Sequence, residues 1–447
     1  MRIAVVLLSC LFMCACATYA PKPADVTGLP RPAMTALPEG DLLPAALANS
    51  PAVAAARAEY DATLHDRDAQ KRLPATTLTL IQEYSKDANA QKPWLYTGQL
   101  DIPLDLGGRR AGRITTADIA TGKAAYALGD ALWATRLGLR QAQSDLDFAR
   151  QAVILNQQVV ATRTAYRDSI DKQVQSGEEM RAAADQARLD LSAAQQSLRQ
   201  AEAARDQAEL ALAHALNATP AAAHEWAGSD PAPPASPDDA GVDALAAKAL
   251  YARSDIRNAV ADYAGAENDL RVAIAGQYPD VHIAPGYTWE RGMVKLPLNW
   301  VLTLPPTDLN RANIAAATDR RAAAGKTLED TVKTAQTEIA QTASAWRAAE
   351  AVAQKTTNED LPLARTMAER AQRSQQAGEA SRGDQLLVRV ITLDTQLTAL
   401  SAQQTAADDR LKLEDALRQP FTASDADALS QAAKADSRPD PQQDPHR

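Results

Sequence analysis

Three cysteines, Cys10, Cys14 and Cys16, are all that this 447-residue chain contains, and they crowd into its first sixteen positions. Nothing beyond Cys16 can form a disulfide or a thiolate metal site. Aromatics make up only 4% of the chain, with three Phe, which leaves little material for bulky globular cores. Basic side chains (47) are outnumbered by acidic ones (56), giving a net charge of −9. The clustered basic surface that binds phosphate backbones is therefore not expected, and nucleic acid is not read as a partner. The five histidines, His65, His214, His224, His282 and His446, are scattered without an HxxxH or His–carboxylate cluster, which speaks against a metal site. Gly107-Gly108 lacks the Lys and Ser/Thr of a phosphate loop, and no GxSxG or Cys/His nucleophile exists. No set of residues supports an enzyme, and no cofactor is expected. What is plentiful is Ala, Gln, Arg, Asp and Leu, the composition of long helices packed closely on small side chains.

At the N-terminus, Arg2 precedes a largely apolar run from Ile3 to Ala15. A transmembrane helix needs about 20 apolar residues, so this run suits a signal-peptide core instead. Ala15 directly before Cys16 resembles a bacterial lipobox, with Met13 and Cys14 imperfect at the two preceding positions. Residues 1–15 read as a lipoprotein signal peptide, Cys16 as the lipid attachment point, and 16–43 as an anchor segment. An ordinary cleaved signal is the alternative. Export follows either way. Removing residues 1–15 takes away one Arg, leaving 46 basic against 56 acidic side chains.

Internal self-similarity fixes the architecture. Ala46-Leu47, leading into Val53, Ala56, Glu59 and Tyr60, returns 203 residues later as Ala249-Leu250, leading into Ile256, Ala259, Asp262 and Tyr263. Arg110-Ala111 matches Arg311-Ala312 and Gly177-Glu178 matches Gly378-Glu379, both at an offset of 201. One unit therefore occurs twice, over 44–242 and 243–418.

Within each unit the apolar period switches from helix to strand and back. In the first hairpin, 76–102, Leu78, Leu80 and Tyr84 share one side, as do Tyr96, Leu100 and Ile102, with Thr97, Gln99 and Asp101 on the other. In the second, 281–304, Val281, Ile283, Tyr287 and Trp289 share a parity, and Leu296, Leu298, Trp300, Leu302 and Leu304 follow without a break. Strands of about ten residues have the length of tilted transmembrane β-strands. The windows 76–102 and 279–304 hold six of the nineteen aromatics in 53 residues, as expected where Tyr and Trp sit at a membrane–water interface. Pro285 and Pro297 inside the second hairpin each remove a ladder donor and point to bulges.

The rest reads as helix: 44–72, 109–176, 178–217, 243–275, 308–377 and 379–418, with Pro362 expected to kink the long second-unit helix. Ala187, Ala194, Ala201, Ala208 and Ala215 recur every seven residues, with Leu191, Leu198 and Leu212 four after three of them, an alanine-rich coiled-coil seam. A Pro-, Asp-, Gly- and Ser-rich linker is expected at 218–242, and a polar tail, partly disordered at its end, at 419–447.

These features together resemble the TolC-type outer-membrane efflux factor family. The motifs that carry the likeness are ALANSPAVAAARAEYDA (46–62), DIPLDLGGRRAGRI (101–114), QVQSGEE (173–179) and QQAGEASRGDQLL (375–387). In the second, Pro103 ends a strand and Gly107-Gly108 turn the chain into a helix at Arg110; its second copy, PPTDLNR (305–311), lacks the glycines. The resemblance implies a mainly α fold with a small β part, long coiled-coil helices forming a periplasmic α-barrel. It also implies a homotrimer in which each chain adds four strands to a 12-stranded outer-membrane β-barrel. Leu296 to Leu304 would face lipid, and Lys295, Asn299 and Thr303 water. Gly177 and Gly378 would lie at the periplasmic tip, where the channel closes and a periplasmic adaptor docks, with an inner-membrane transporter supplying energy. Asp384 matches a position where family members place an acidic ring. Leu387 stands where a second acidic residue would be expected and Ala183 at the first-unit equivalent of Asp384, so Glu379, Arg181 and Arg382 are possible substitutes. The implied function is a passive export duct in the outer membrane of a Gram-negative bacterium. A periplasmic coiled-coil adaptor or scaffold is the rival reading; it predicts no amphipathic strands, so the alternation at Leu296–Leu304 argues against it.

Overall fold

A computed structural model describes residues 34–38, 40–84, 93–104, 107–226, 239–290 and 292–434, apart from the side chains of 239, 240 and 243. The signal-peptide reading, Cys16, the first hairpin turn and residues 435–447 lie outside the described residues.

The first repeat runs α1 (Leu43–Asn49), α2 (Pro51–Gln70), β1 (Thr77–Tyr84), β2 (Trp94–Leu104), α3 (Arg109–Ser176), α4 (Arg181–Ala215) and α5 (Pro220–Glu225). The second runs α6 (Asp239–Ala252), α7 (Ser254–Ala275), β3 (Asp280–Glu290), β4 (Met293–Lys295), β5 (Leu298–Thr303), α8 (Arg311–Lys355), α9 (Leu361–Gln376), α10 (Arg382–Leu417) and α11 (Ala423–Lys434). The proline-free α3 is unbroken over 68 residues, about 100 Å at 1.5 Å per residue.

Three expected helices are subdivided or trimmed, each for a local reason. Ser50 breaks 44–72 into α1 and α2: its extended backbone precedes Pro51, and its hydroxyl accepts the Val53 N–H. Arg253 plays the same part between α6 and α7, its guanidinium bonded to Asp255, Glu338 and the Ala416 carbonyl. The long helix 308–377 starts only at Arg311 and contains a π-turn, Thr356–Asp360, just before Pro362. Pro362 has no N–H for the carbonyl four residues back, and the wider turn accommodates the loss. The linker and the tail contain helices of their own, α5 and α11.

The main core joins Leu42, Leu43 and Leu47 at α1 to Leu132, Leu139 and Leu146 of α3 and Leu212 and Leu216 at the end of α4. A smaller core gathers Val242, Ile339, Trp346, Leu413 and Leu417. Farther along, Val159, Ala194 and Leu393 tie α3, α4 and α10 together. In the alanine seam of α4, Ala187, Leu191, Ala194, Ala208 and Leu212 are buried, so the heptad is the packed face.

An ion cluster fastens the two repeats. Arg136 of α3, 1% exposed, lies between Glu414 of α10 and Asp425 of α11, and Arg140 also reaches Asp425 and Asp41. The expected polar tail is thus anchored by its own buried carboxylate. Burial pushes the Asp425 carboxyl up, but the hydrogen bond and charge of Arg140, with Arg136 beside it, outweigh that and hold it below the usual carboxylate range. Trp133 completes the joint, donating from Nε1 to Asp415 at 2.8 Å with the guanidiniums of Arg136 and Arg418 over its ring.

Where α3 crosses α7, Gly112 leaves room for Val272, and Asn268 donates to the Gly112 carbonyl at 3.0 Å. A Cβ at 112 would collide with the Val272 side chain, whereas one at Gly122 in the same helix meets nothing within 4 Å. Gly112→Ala is expected to destabilise the chain by about 1–3 kcal/mol through overpacking. Gly122→Ala is expected to be neutral or stabilising by about 0.5–1 kcal/mol. Thermal unfolding followed by circular dichroism separates the two.

Candidate functional site

The strands form one antiparallel sheet in which the two hairpins join through β2 and β3. Its register puts every apolar parity class on one face. Leu78 pairs Leu100, Tyr84 pairs Trp94, Tyr96 pairs Trp289, Ile102 pairs Ile283, and Val281, Ile283 and Pro285 pair Leu302, Trp300 and Leu298. Thr79, Thr97, Gln99, Thr288, Lys295 and Asn299 lie on the opposite face, where the Thr97 and Thr288 hydroxyls are hydrogen-bonded at 3.1 Å.

Neither proline makes a bulge. The pairing of β3 with β4 and with β5 follows one uninterrupted register, so Met293–Thr303 behaves as a single strand broken only by Leu296-Pro297. Gly286 donates to the Pro297 carbonyl at 2.7 Å, and Pro297 has no N–H to return the bond. Successive N–H groups of a strand point to alternate neighbours, so Pro285 is missing a donor towards Leu100 of β2, where the ladder skips two pairs without changing register. Gly286 is also tightly flanked: a Cβ there would stand 3.2 Å from Pro297 and 3.3 Å from the Gly98 carbonyl.

Much of the apolar face is left uncovered by the described residues. Leu298, Trp300 and Leu302 are 58%, 57% and 53% exposed, and Leu296 and Leu304 still more so. Near the hairpin turns, Tyr84, Trp94, Tyr96 and Trp289 form a continuous row with ring centroids 5.0, 6.1 and 5.9 Å apart. The outer edges of β1 and of Met293–Thr303 have no strand beside them among the described residues.

At the other end of the sheet the strands pass into helices. Pro103 does not end β2, which pairs on through Leu104; Gly107 faces the Ala275 carbonyl, and Gly108 takes φ +76° as the residue before α3. Arg109 bridges to Asp280 at the start of β3, and Arg110 donates to the Lys71 carbonyl that ends α2. On the polar face above them His282 and Asp101 meet at 3.1 Å. The second copy turns without glycine: Leu309 and Asn310 themselves take φ +53° and +61°. Asp308 accepts from the Asn310 and Ala312 amides, and the Asn310 side chain donates to the Ala273 carbonyl.

The two far turns are copies in hydrogen-bond detail. Gly177 (φ +80°) and Gly378 (φ +76°) end their helices, and Glu178 and Glu379 donate their amides to the Gln173 and Ser374 carbonyls, both at 2.9 Å. They differ at the next helix start. Ser381 and Asp384 form a reciprocal capping box: the Ser381 hydroxyl accepts the Asp384 amide at 3.1 Å and Asp384 accepts the Ser381 amide at 3.2 Å. The S-x-x-D pattern was readable in the sequence. Met180 and Ala183 stand at the corresponding positions and provide no side-chain cap, which explains why only one repeat carries the carboxylate. Arg181, Glu379 and Arg382 are exposed around these turns, with Glu379 accepting from Ser374 at 3.3 Å.

Among the described residues, no group of three or more His, Cys, Asp or Glu side chains is arranged to hold a metal, and no helix is long and apolar enough to cross a membrane. What the geometry offers is a surface: a two-faced sheet at one end of the helices and polar turns at the other.

Residues 42–218 match the outer membrane efflux protein family. No curated protein matches the sequence at a significant level. Among solved structures, a membrane protein from Pseudomonas aeruginosa aligns with a TM-score of 0.70 at 18% identity, covering 90% of this chain and 97% of its own. The outer membrane protein VceC from Vibrio cholerae gives 0.68 at 19% identity, over 85% and 96%. The MtrE outer membrane channel of Neisseria gonorrhoeae, in its open state, gives 0.68 at 19% identity, over 85% and 89%. The first repeat thus carries the match to the outer membrane efflux protein family, and the fold of such outer-membrane channels extends through the second.

Proposed function

We propose that this chain is the outer-membrane channel of a tripartite efflux or secretion system, a passive duct from the periplasm to the outside that performs no chemistry. The observation that carries this is the sheet with one mainly apolar, largely exposed face and, among the described residues, two unpaired edges. Open edges in hydrocarbon cost several kcal/mol per unsatisfied group, so such strands are stable in a membrane only when closed into a barrel. Four strands are too few for closure; three copies give twelve. Leu296, Leu298, Trp300, Leu302 and Leu304 then face outer-membrane lipid, the Tyr84–Trp94–Tyr96–Trp289 row lies at the outer interface, and the threonine-rich face lines water. The helices extend into the periplasm, where the turns at Gly177 and Gly378 meet a periplasmic adaptor protein that links the duct to an inner-membrane transporter. Cys16 carries the lipid anchor; Cys16→Ser is expected to abolish palmitate labelling, and retained label would remove the assignment.

Planar-bilayer recording tests the duct. The purified protein is expected to give discrete single-channel steps, and a protein that inserts without conducting would refute the reading. Asp384 is the candidate gate residue: three copies near one axis attract cations and repel anions. Asn keeps the acceptor needed by the capping box, so Asp384→Asn removes charge without uncapping α10. A reduced cation preference is expected; an unchanged reversal potential would take Asp384 out of the gate.

A further inference from the structure

In the first repeat the seam between α1 and α3 is closed. Leu43 and Leu47 meet Leu139 and Leu146 in the main core, and Ala428, Leu429 and Ala432 of α11 pack against that core. Among the described residues the equivalent seam of the second repeat is open. Between α6 and α8 runs a groove of about 330 Å³ whose walls include Val242, Ala246, Leu250, Ala340, Ala343 and Arg347. The repeat offsets lay Ala246 on Leu43 and Ala340 on Leu139. At these two positions alanine stands where the first repeat has leucine, and α6 itself packs on α7, α8 and α10.

What covers the groove follows from the duplication. The second-repeat helix α10 packs on α8 of its own repeat and on α3 of the first, and the segment that follows it, α11, covers α1 and α3. By the same relation carried one repeat onward, α4 packs on α8 of a second chain, and the segment that follows α4 covers that chain's α6 and α8. Within its own chain that segment, α5, packs on α4 and so does not reach the groove.

We infer that the α6–α8 groove is the seat of the segment Pro220–Trp226 from a neighbouring copy of this chain. The inference rests on the trimeric reading above and specifies a contact within it. The outward face of α5 presents Pro220 and Ala221, small enough for an alanine-floored groove, and then His224 and Glu225. This seam continues the interface that α11 makes inside the chain, but without its ion cluster. The offset replaces Arg136, Arg140, Glu414 and Asp425 by Thr337, Gln341, Ala213 and His224. The seam within a chain is locked by buried charge, whereas the seam between chains can open without stranding one.

Paired cysteines in the full chain test this, since no native cysteine follows Cys16. Ala221→Cys combined with Ala247→Cys, both exposed positions, is treated in detergent with a short bis-maleimide. Covalent dimers and trimers are expected from the double variant and monomers from each single variant. A crosslink confined within one chain overturns the inference. So does the absence of crosslinks in a sample whose native mass is trimeric, in which case the trimer stands and this contact does not. A monomeric native mass overturns both. Ala221→Cys with Lys248→Cys, on the same exposed rim, replaces the first pair should that pair disturb folding.

Discussion

Arg136→Met is expected to lower the unfolding free energy by about 3–5 kcal/mol, the usual cost of removing one partner from a buried ion cluster. Glu414 and Asp425, with side chains 2% and 0% exposed, would remain in the interior without the guanidinium between them. Adding Glu414→Gln and Asp425→Asn to the same chain is expected to recover much of the loss, because the two buried carboxylates then carry no charge and Arg140 keeps Asp41 as its partner. Denaturant unfolding followed by far-ultraviolet circular dichroism gives the two values. If Arg136→Met alone unfolds like the parent, the cluster does not hold the repeats together. The pH dependence has a defined sign. The Asp425 carboxyl is held below its unfolded value of about 3.9, so its contribution is complete above that pH and disappears as the pH falls through the folded value. Asp145, Asp147 and Asp394 act oppositely: burial raises each of them, so protonation on mild acidification favours the folded state. Stability is therefore expected to hold or rise slightly on mild acidification and to fall steeply only below about pH 4.

Leu298→Arg should block assembly, and Asn299→Arg, one residue away, should not. Leu298 lies midway along Met293–Thr303 on the apolar face, and Asn299 lies on the polar one. An arginine at the lipid-facing midplane of a barrel costs about 2–4 kcal/mol, and a trimer incurs it three times. The fraction of protein that floats with membranes, and the yield of oligomer on native gels, read the difference. Equal yields from the two variants would mean that the alternation has no bearing on lipid contact.

Much of this arrangement was legible from local signals. The bounds of Arg109–Ser176 follow from an unbroken helical pattern between Gly108 and Gly177, and the strand faces follow from parity alone. Duplication brought out the matching turns at Gly177 and Gly378. What was not legible depends on partners far apart in sequence. Arg136 meets residues 278 and 289 positions away, and no local pattern distinguishes it from the seven other arginines of α3, none of which is buried. For the same reason Asp425 looked like part of a polar tail. The bulges expected at Pro285 and Pro297 did not form because the register is set by the whole sheet, and the missing donors only thin the ladder. The capping role of Asp384 could have been read from Ser381 three residues before it. Loss of glycine from PPTDLNR appeared to weaken the second strand exit, yet Leu309 and Asn310 make the same turn, with Asp308 and the Asn310 side chain supplying the bonds.

A spin label carried in turn at each position from 294 to 303, in protein reconstituted into liposomes, probes the wall of the duct most directly. Even-numbered positions should be relaxed by oxygen, which concentrates in lipid, and odd-numbered positions by a water-soluble nickel chelate, in strict alternation. Uniform access to the chelate, or uniform protection from both reagents, would mean that these strands do not separate lipid from water.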